Sequence, residues 1–256
     1  MKKIYYMIGV AAMLLSACVK NTLYRTPHPD RGAVTISPFP CPWLLAPGAH
    51  SLVVYNRAEG FTFDGRTARV NAPGGMSRAD GASVIPLPGY LKTACREMTV
   101  AADDTLRVSP APQQRVRDLQ LELEVTQGRP ELIQSVTATL GGIAGAFDME
   151  AEQTIGEPVS TVFAFAREGS KLTANVRLLG AMGAVQTMVL DIVFVDGGRT
   201  QRTEVDLTES LADFNGDMTT AYRVTGTLET PVGMEEGNAE ITGWEPVDGG
   251  DVDAGM

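Results

Sequence analysis

Residues 118–125 read Asp-Leu-Gln-Leu-Glu-Leu-Glu-Val, DLQLELEV. Leu119, Leu121, Leu123 and Val125 point one way along an extended chain, while Gln120, Glu122 and Glu124 point the other. A period of two belongs to a strand, because successive side chains leave the pleated backbone on opposite faces. The stretch therefore predicts a sheet with one dry face and one wet face.

The same signal recurs on both sides of it. In VQTMVLDIVFVDGGRTQRTEVDL (185–207), Met188, Leu190, Ile192 and Phe194 line one face. Asp196-Gly197-Gly198 then turns the chain, and Thr203, Val205 and Leu207 bring it back as the second arm of a hairpin. TVFAFA (161–166) and LTANVRL (172–178) flank Glu168-Gly169-Ser170 and predict another hairpin. Upstream, AVTIS (33–37), HSLVVYN (50–56), FTF (61–63) and TARVN (67–71) read as strands, and residues 72–83 as a glycine-rich loop. REMTV (96–100) and DTLRV (104–108) around Asp103-Asp104 predict a hairpin, whereas the proline-dense 38–48 cannot lie in a central strand. Helix signals are few: one turn over Pro130–Ser135, and two over Thr208–Phe214 with Thr208 as N-cap. Short strands joined by turns every eight to twelve residues or so predict an all-β protein built of sandwiches. PAPQQ (110–114) breaks the pattern, which places a domain boundary within 109–117.

The amino-terminal end carries a different signal. MKKIYYMIGVAAMLLSAC opens with Lys2 and Lys3, continues through uncharged, mostly apolar residues, and ends in Leu15-Ser16-Ala17-Cys18. This is the layout of a secretory signal closed by a bacterial lipobox, with an apolar run too short to span a bilayer comfortably. The Cys18 thiol is then the site of lipidation, and cleavage falls just before it. Several acyl chains on one residue hold a protein stably at a membrane surface, since each buried methylene contributes about 0.8 kcal/mol. The expected layout is a lipoprotein signal peptide at 1–17, a lipidated tether at 18–32, an N-terminal β-sandwich domain at 33–114, a C-terminal one at 115–246, and an acidic glycine-rich tail at 247–256.

Composition and motifs narrow the function. The formal net charge is −10 and falls further once Lys2 and Lys3 are removed, which argues against nucleic acid and anionic lipid head groups as partners. There are two histidines, His28 and His50, and no G-x-S-x-G elbow, HExxH, CxxC pair or phosphate loop. Asp213-Phe214-Asn215-Gly216-Asp217 has alternating oxygen ligands but lacks the rest of a calcium loop, so it reads as a polar connection. No enzyme, cofactor or metal is expected. Beyond Cys18 the chain holds Cys41 and Cys95, which an oxidising envelope permits to pair or to remain as two buried thiols.

A set of longer stretches carries a resemblance. LYRTPHPDRGAVTI, LVVYNRAEGFTFDG, LPGYLKTACREMTVAADDTLRV, VTATLGGIAGAFDM, VDLTESLADFNGDM and AEITGWEPVDGG follow the lipobox in that order. Over nearly the whole mature chain this resembles the fimbrillin superfamily and, within it, the FimB-type fimbrial anchor lipoproteins of type V pili. The resemblance implies two tandem transthyretin-like β-sandwich domains with short helical turns. It also implies a minor subunit at the base of the fimbrium on the outer membrane, with pilin subunits as partners. Such anchors join pilins by strand addition and limit fibre length. With the N-terminal segment tied to Cys18, the expected donor is the C-terminal end, where Ala239, Ile241 and Trp244 are the candidate contact residues. The alternative reading is a surface lipoprotein that binds glycan or a host protein, with Tyr55, Phe61, Phe63 and Trp244 as candidate aromatic platforms.

Overall fold

Alternation along the chain translates directly into burial. The computed structural model describes residues 5–9, 30–38, 41–71, 84–195, 199–230 and 240–247. Cys18, His28, Ala239, the 72–83 loop, the 196–198 turn and the tail from 248 lie outside the described residues. In the strand Arg117–Gln127, every second residue from Arg117 to Val125 is buried and those between are not. Among the described residues the regular structure is all β except for a single 3-10 turn at Pro130–Leu132, as the sequence predicts.

Four sheets form. The first is ordered β1 (Tyr5–Gly9), β4 (Gly48–Tyr55), β8 (Lys92–Val100) and β10 (Gln113–Gln114). Against it lies a three-stranded sheet of β3 (Trp43–Leu45), β2 (Gly32–Ile36) and β9 (Thr105–Val108). Val34, Ile36, Leu45, Leu52, Val54, Val100 and Val108 fill the space between them as a small core. Within the proline-dense segment, β3 lies at a sheet edge, consistent with prolines being unable to donate to a ladder.

A third sheet joins β5 (Phe61–Asp64) and β6 (Thr67–Val70) to β13 (Ala146–Asp148) and β14 (Gln153–Ile155). The large sheet runs β18 (Thr200–Asp206), β17 (Thr187–Phe194), β12 (Ile133–Ile143), β15 (Val159–Glu168), β16 (Lys171–Leu178), β11 (Arg117–Gln127), β19 (Tyr222–Glu229) and β20 (Glu240–Val247). A short strand, β7 (Val84–Ile85), pairs in parallel with Ser160 and Thr161 of β15. The sheet rolls until its two ends, β18 and β20, approach each other, and its inner faces enclose the main core.

The two halves of the chain are joined by more than a linker. Thr67–Arg69 of β6 pair with Ala146–Asp148 of β13, across the boundary expected near 115. Val53, Tyr55, Phe61, Ala68 and Leu91 from the first half pack in one cluster with Leu119, Leu121, Leu140, Ile143 and Leu178 from the second. β4 is buried on both faces, with Leu52 and Val54 in the small core and Val53 and Tyr55 in the large one. That two-sided burial explains why SLVVY is continuously apolar after Ser51 instead of alternating.

Two local expectations are corrected. REMTV and DTLRV do not form a hairpin: β8 pairs with β4, whereas β9 crosses to the other sheet and pairs in parallel with β2. The turn at Asp103 adopts a left-handed φ of 53° and donates its N–H to Arg31, so it redirects the chain between sheets. Residues 208–216 form a succession of tight turns rather than a two-turn helix. Thr208 does not cap that segment, because its hydroxyl oxygen accepts from Gln186 N–H and its own N–H donates to Asp206 Oδ1.

Candidate functional site

The features able to meet a partner are sheet edges, the terminal strand and the segment that fastens it. At one edge, Tyr5–Gly9 pair in parallel with Ser51–Tyr55 of β4. These five residues belong to the stretch that the sequence assigns to a cleaved signal. β4 is therefore flanked by β8 on one side and by signal-derived chain on the other.

At the far end of the large sheet, β20 folds back antiparallel on β19, and Ile241 lies opposite Leu228. Two of the three candidate donor residues thus sit in a strand paired within its own sheet. Ile241 and Trp244 are partly buried and pack on the main core. The ladder shifts register between Thr225 and Thr227, opposite Gly243, whose φ is +69°. This bulge turns Trp244 onto Gly226, where a Cβ would stand 2.9 Å from indole Cδ2. Trp244 Nε1 is buried and has no hydrogen-bond partner among the described residues. The indole is a packing group here, not an exposed platform.

A clasp secures β20 from below. Arg117 is buried, and its Nε donates to Thr220 O at 2.6 Å and its Nη1 to Phe214 O at 2.5 Å. The guanidinium also lies 4.7 Å from the Tyr222 ring centroid and 5.5 Å from that of Phe214. Burial pushes its pKa down, although an arginine stays charged throughout the usual pH range. Tyr222 hydroxyl donates to Ser210 O at 2.9 Å, and Ser210 Oγ donates to Trp244 O at 3.3 Å. A continuous chain of contacts thus runs from β11 to β20.

The DFNGD string belongs to this clasp, with Asp217 and Asn215 engaged by neighbouring hydroxyl and backbone groups. Asp217 Oδ1 accepts from Thr219 N–H and Thr219 Oγ1, and Asp217 Oδ2 from Thr220 Oγ1, which hold its carboxyl far below the usual carboxylate range. Asn215 accepts from Ala181 N–H and donates to Ala181 O, both at 2.9 Å. Among the described residues no group of acids, cysteines and histidines could hold a metal ion. His50 is buried with its Nε2 2.7 Å from Ala46 O, in no cluster of reactive groups.

The Cys41–Cys95 bridge is corrected. Cys95 is a free thiol, placed mid-strand in β8 opposite Val53 and 3.5 Å from Ser51 Oγ. Cys41 lies instead in the segment leading into β3, on the opposing sheet. Burial pushes the Cys95 thiol up, which favours its protonated form. The remaining aromatic candidates are also structural: Tyr55 stacks on Phe63 at 4.5 Å, and Phe61 is core.

Sequence reasoning passed over Arg117 and Gly226, though each leaves a signal. Arg117 is in phase with Leu119 and Leu121, so it is a cation on the dry face. Gly226 stands between Val224 and Leu228 on the dry face of its strand, a gap that a large side chain must fill.

No family model and no curated protein matches the sequence. Solved structures do match. A candidate adhesin from Bacteroides ovatus aligns with a TM-score of 0.59 at 13% identity, over 87% of this chain and 96% of that one. The fimbrial anchor protein Mfa2 from Porphyromonas gingivalis aligns with a TM-score of 0.49 at 11% identity, over 74% of this chain and 72% of that one. The first of these shows a shared all-β fold.

Proposed function

We propose that this chain is a lipid-anchored minor subunit of a fimbrial-type fibre, tied to the outer membrane at the cell surface through acyl groups on Cys18. Its role is structural, not enzymatic: it attaches the fibre to the membrane and joins a pilin subunit by strand addition. The observation that carries this reading is the pairing of Tyr5–Gly9 with β4. Cleavage before Cys18 takes away that strand and bares the Ser51–Tyr55 edge of a strand whose side chains are buried on both faces. An extended segment from a neighbour can restore the ladder there, with backbone hydrogen bonds giving affinity and alternate side chains giving selectivity.

This changes the direction of exchange expected from sequence. Ile241 and Trp244 are engaged at home against Leu228 and Gly226, so acceptance at β4 is favoured over donation by the C-terminal end. A subunit fixed at its own amino terminus can be extended at one end only, which limits fibre length. Replacing Cys18 with serine tests the anchor: Cys18→Ser is expected to move the protein, and the fibres with it, from the membrane pellet to the medium. Retention of both in the pellet, or an unmodified mature amino terminus elsewhere, would overturn the reading.

A further inference from the structure

The large sheet is not evenly closed. β15 and β16 pair only next to their turn, through Ala166–Thr173, Arg167–Leu172 and Glu168–Lys171. Before that point β15 follows β12, with Ala164 opposite Thr137, while β16 follows β11, with Asn175 opposite Gln120. The two strands diverge, and the wet face opens there into a recess of about 510 Å³. That is within the range of small-ligand sites, roughly 300–1,000 Å³.

The walls are polar and the floor is small. Ala164 and Ala166 line it from β15, and Thr173 and Asn175 from β16. Gln120, Glu122 and Arg223 continue it across β11 and β19. Gln120 Oε1 accepts from Arg223 Nη2 at 3.3 Å, and Glu122 Oε1 accepts from Lys171 Nζ at 2.7 Å. These bonds hold two of the side chains in place. The carboxamide of Asn175, the hydroxyl of Thr173 and the amide nitrogen of Gln120 have no partner among the described residues and remain available.

We infer that this recess binds a short stretch of neutral carbohydrate. The lining carries one carboxylate and one guanidinium, so it offers no excess charge to an ionic ligand. Carboxamides present a donor and an acceptor side by side, which suits adjacent hydroxyls on a sugar ring. The alanine methyl groups leave room for the ring and meet its C–H face. The residues also run across the strands: Asn175, Gln120 and Arg223 are cross-strand neighbours. Three paired strands, β16, β11 and β19, at about 4.8 Å spacing make a track about 10 Å long. A peptide strand would lie lengthwise in the gap where β15 and β16 part and pair with backbone, whereas a ligand across the track meets side-chain tips.

The inference is independent of the fimbrial role and of Cys18. Full-length protein purified in detergent is applied to an array of neutral and acidic glycans, and the strongest neutral ligand is titrated calorimetrically. Saturable binding to a neutral glycan is expected, weakened about tenfold or more in the double variant Gln120→Ala, Asn175→Ala. Ala166→Arg, which fills the recess, is expected to do the same, while Thr200→Arg on β18 leaves binding unchanged. Thermal unfolding of each variant separates lost binding from lost folding. No saturable binding to any neutral glycan overturns the inference. So does preference for acidic glycans, binding that survives both recess variants, or capture of an extended peptide in place of sugar.

Discussion

A single buried guanidinium organises one end of the large sheet. Arg117 donates to carbonyl groups that turns leave without backbone partners, and it is stacked by Phe214 and Tyr222. Replacement by methionine keeps the bulk but strips these donors, and the expected loss is about 2–4 kcal/mol in denaturant unfolding. Lysine should not rescue it, because one ammonium cannot reproduce the planar fork. Asp217 makes a related prediction for pH. Its folded carboxyl is held far below the unfolded value by the Thr219 and Thr220 hydroxyls. The folded state therefore binds fewer protons, so this contribution is present at neutral pH and is lost as pH falls below about 4. Unfolding titrations should show an acid slope in the native protein that is shallower in Asp217→Asn; equal slopes would refute the assignment. The dry-face phase of Arg117 was legible in DLQLELEV and its flanks, but its partners were not, since they lie about a hundred residues away.

Among the elements, β20 owes its place to a missing side chain. Gly226 lets the Trp244 indole lie flat over β19, and the bulge at Gly243 aims it there. Gly226→Ala puts a methyl group at 2.9 Å from the ring, and the indole or the strand must move. The expected cost is about 1–3 kcal/mol, read as a lower thermal midpoint and a shifted tryptophan emission. An unchanged emission would mean that Trp244 does not rest on β19. Hairpins with a clear period and a turn signal were readable, as β15–β16 and β17–β18 show. The hairpin expected around Asp103 does not form, because short-range turn chemistry cannot distinguish a return to the same sheet from a crossing to the facing one. The recess between β15 and β16 left no trace in sequence either. It arises from how far two strands stay paired, which is a property of their other neighbours.

At the scale of the molecule, the all-β class and its wet and dry faces follow from composition and alternation, but the joining of the halves does not. β6–β13 and β7–β15 are long-range pairings, and the core is continuous from Val53 to Leu228. β11 and β19 lie side by side in parallel, with Leu119 opposite Tyr222 and Leu123 opposite Gly226. β19 and β20 run in opposite directions, with Arg223 opposite Val247. Tension drawn through the two ends of such a chain is borne unequally. The last hairpin opens like a zip, one rung after another, at low force. The parallel seam behind it is dragged lengthwise, so all its rungs resist together and it gives way only under a much heavier pull.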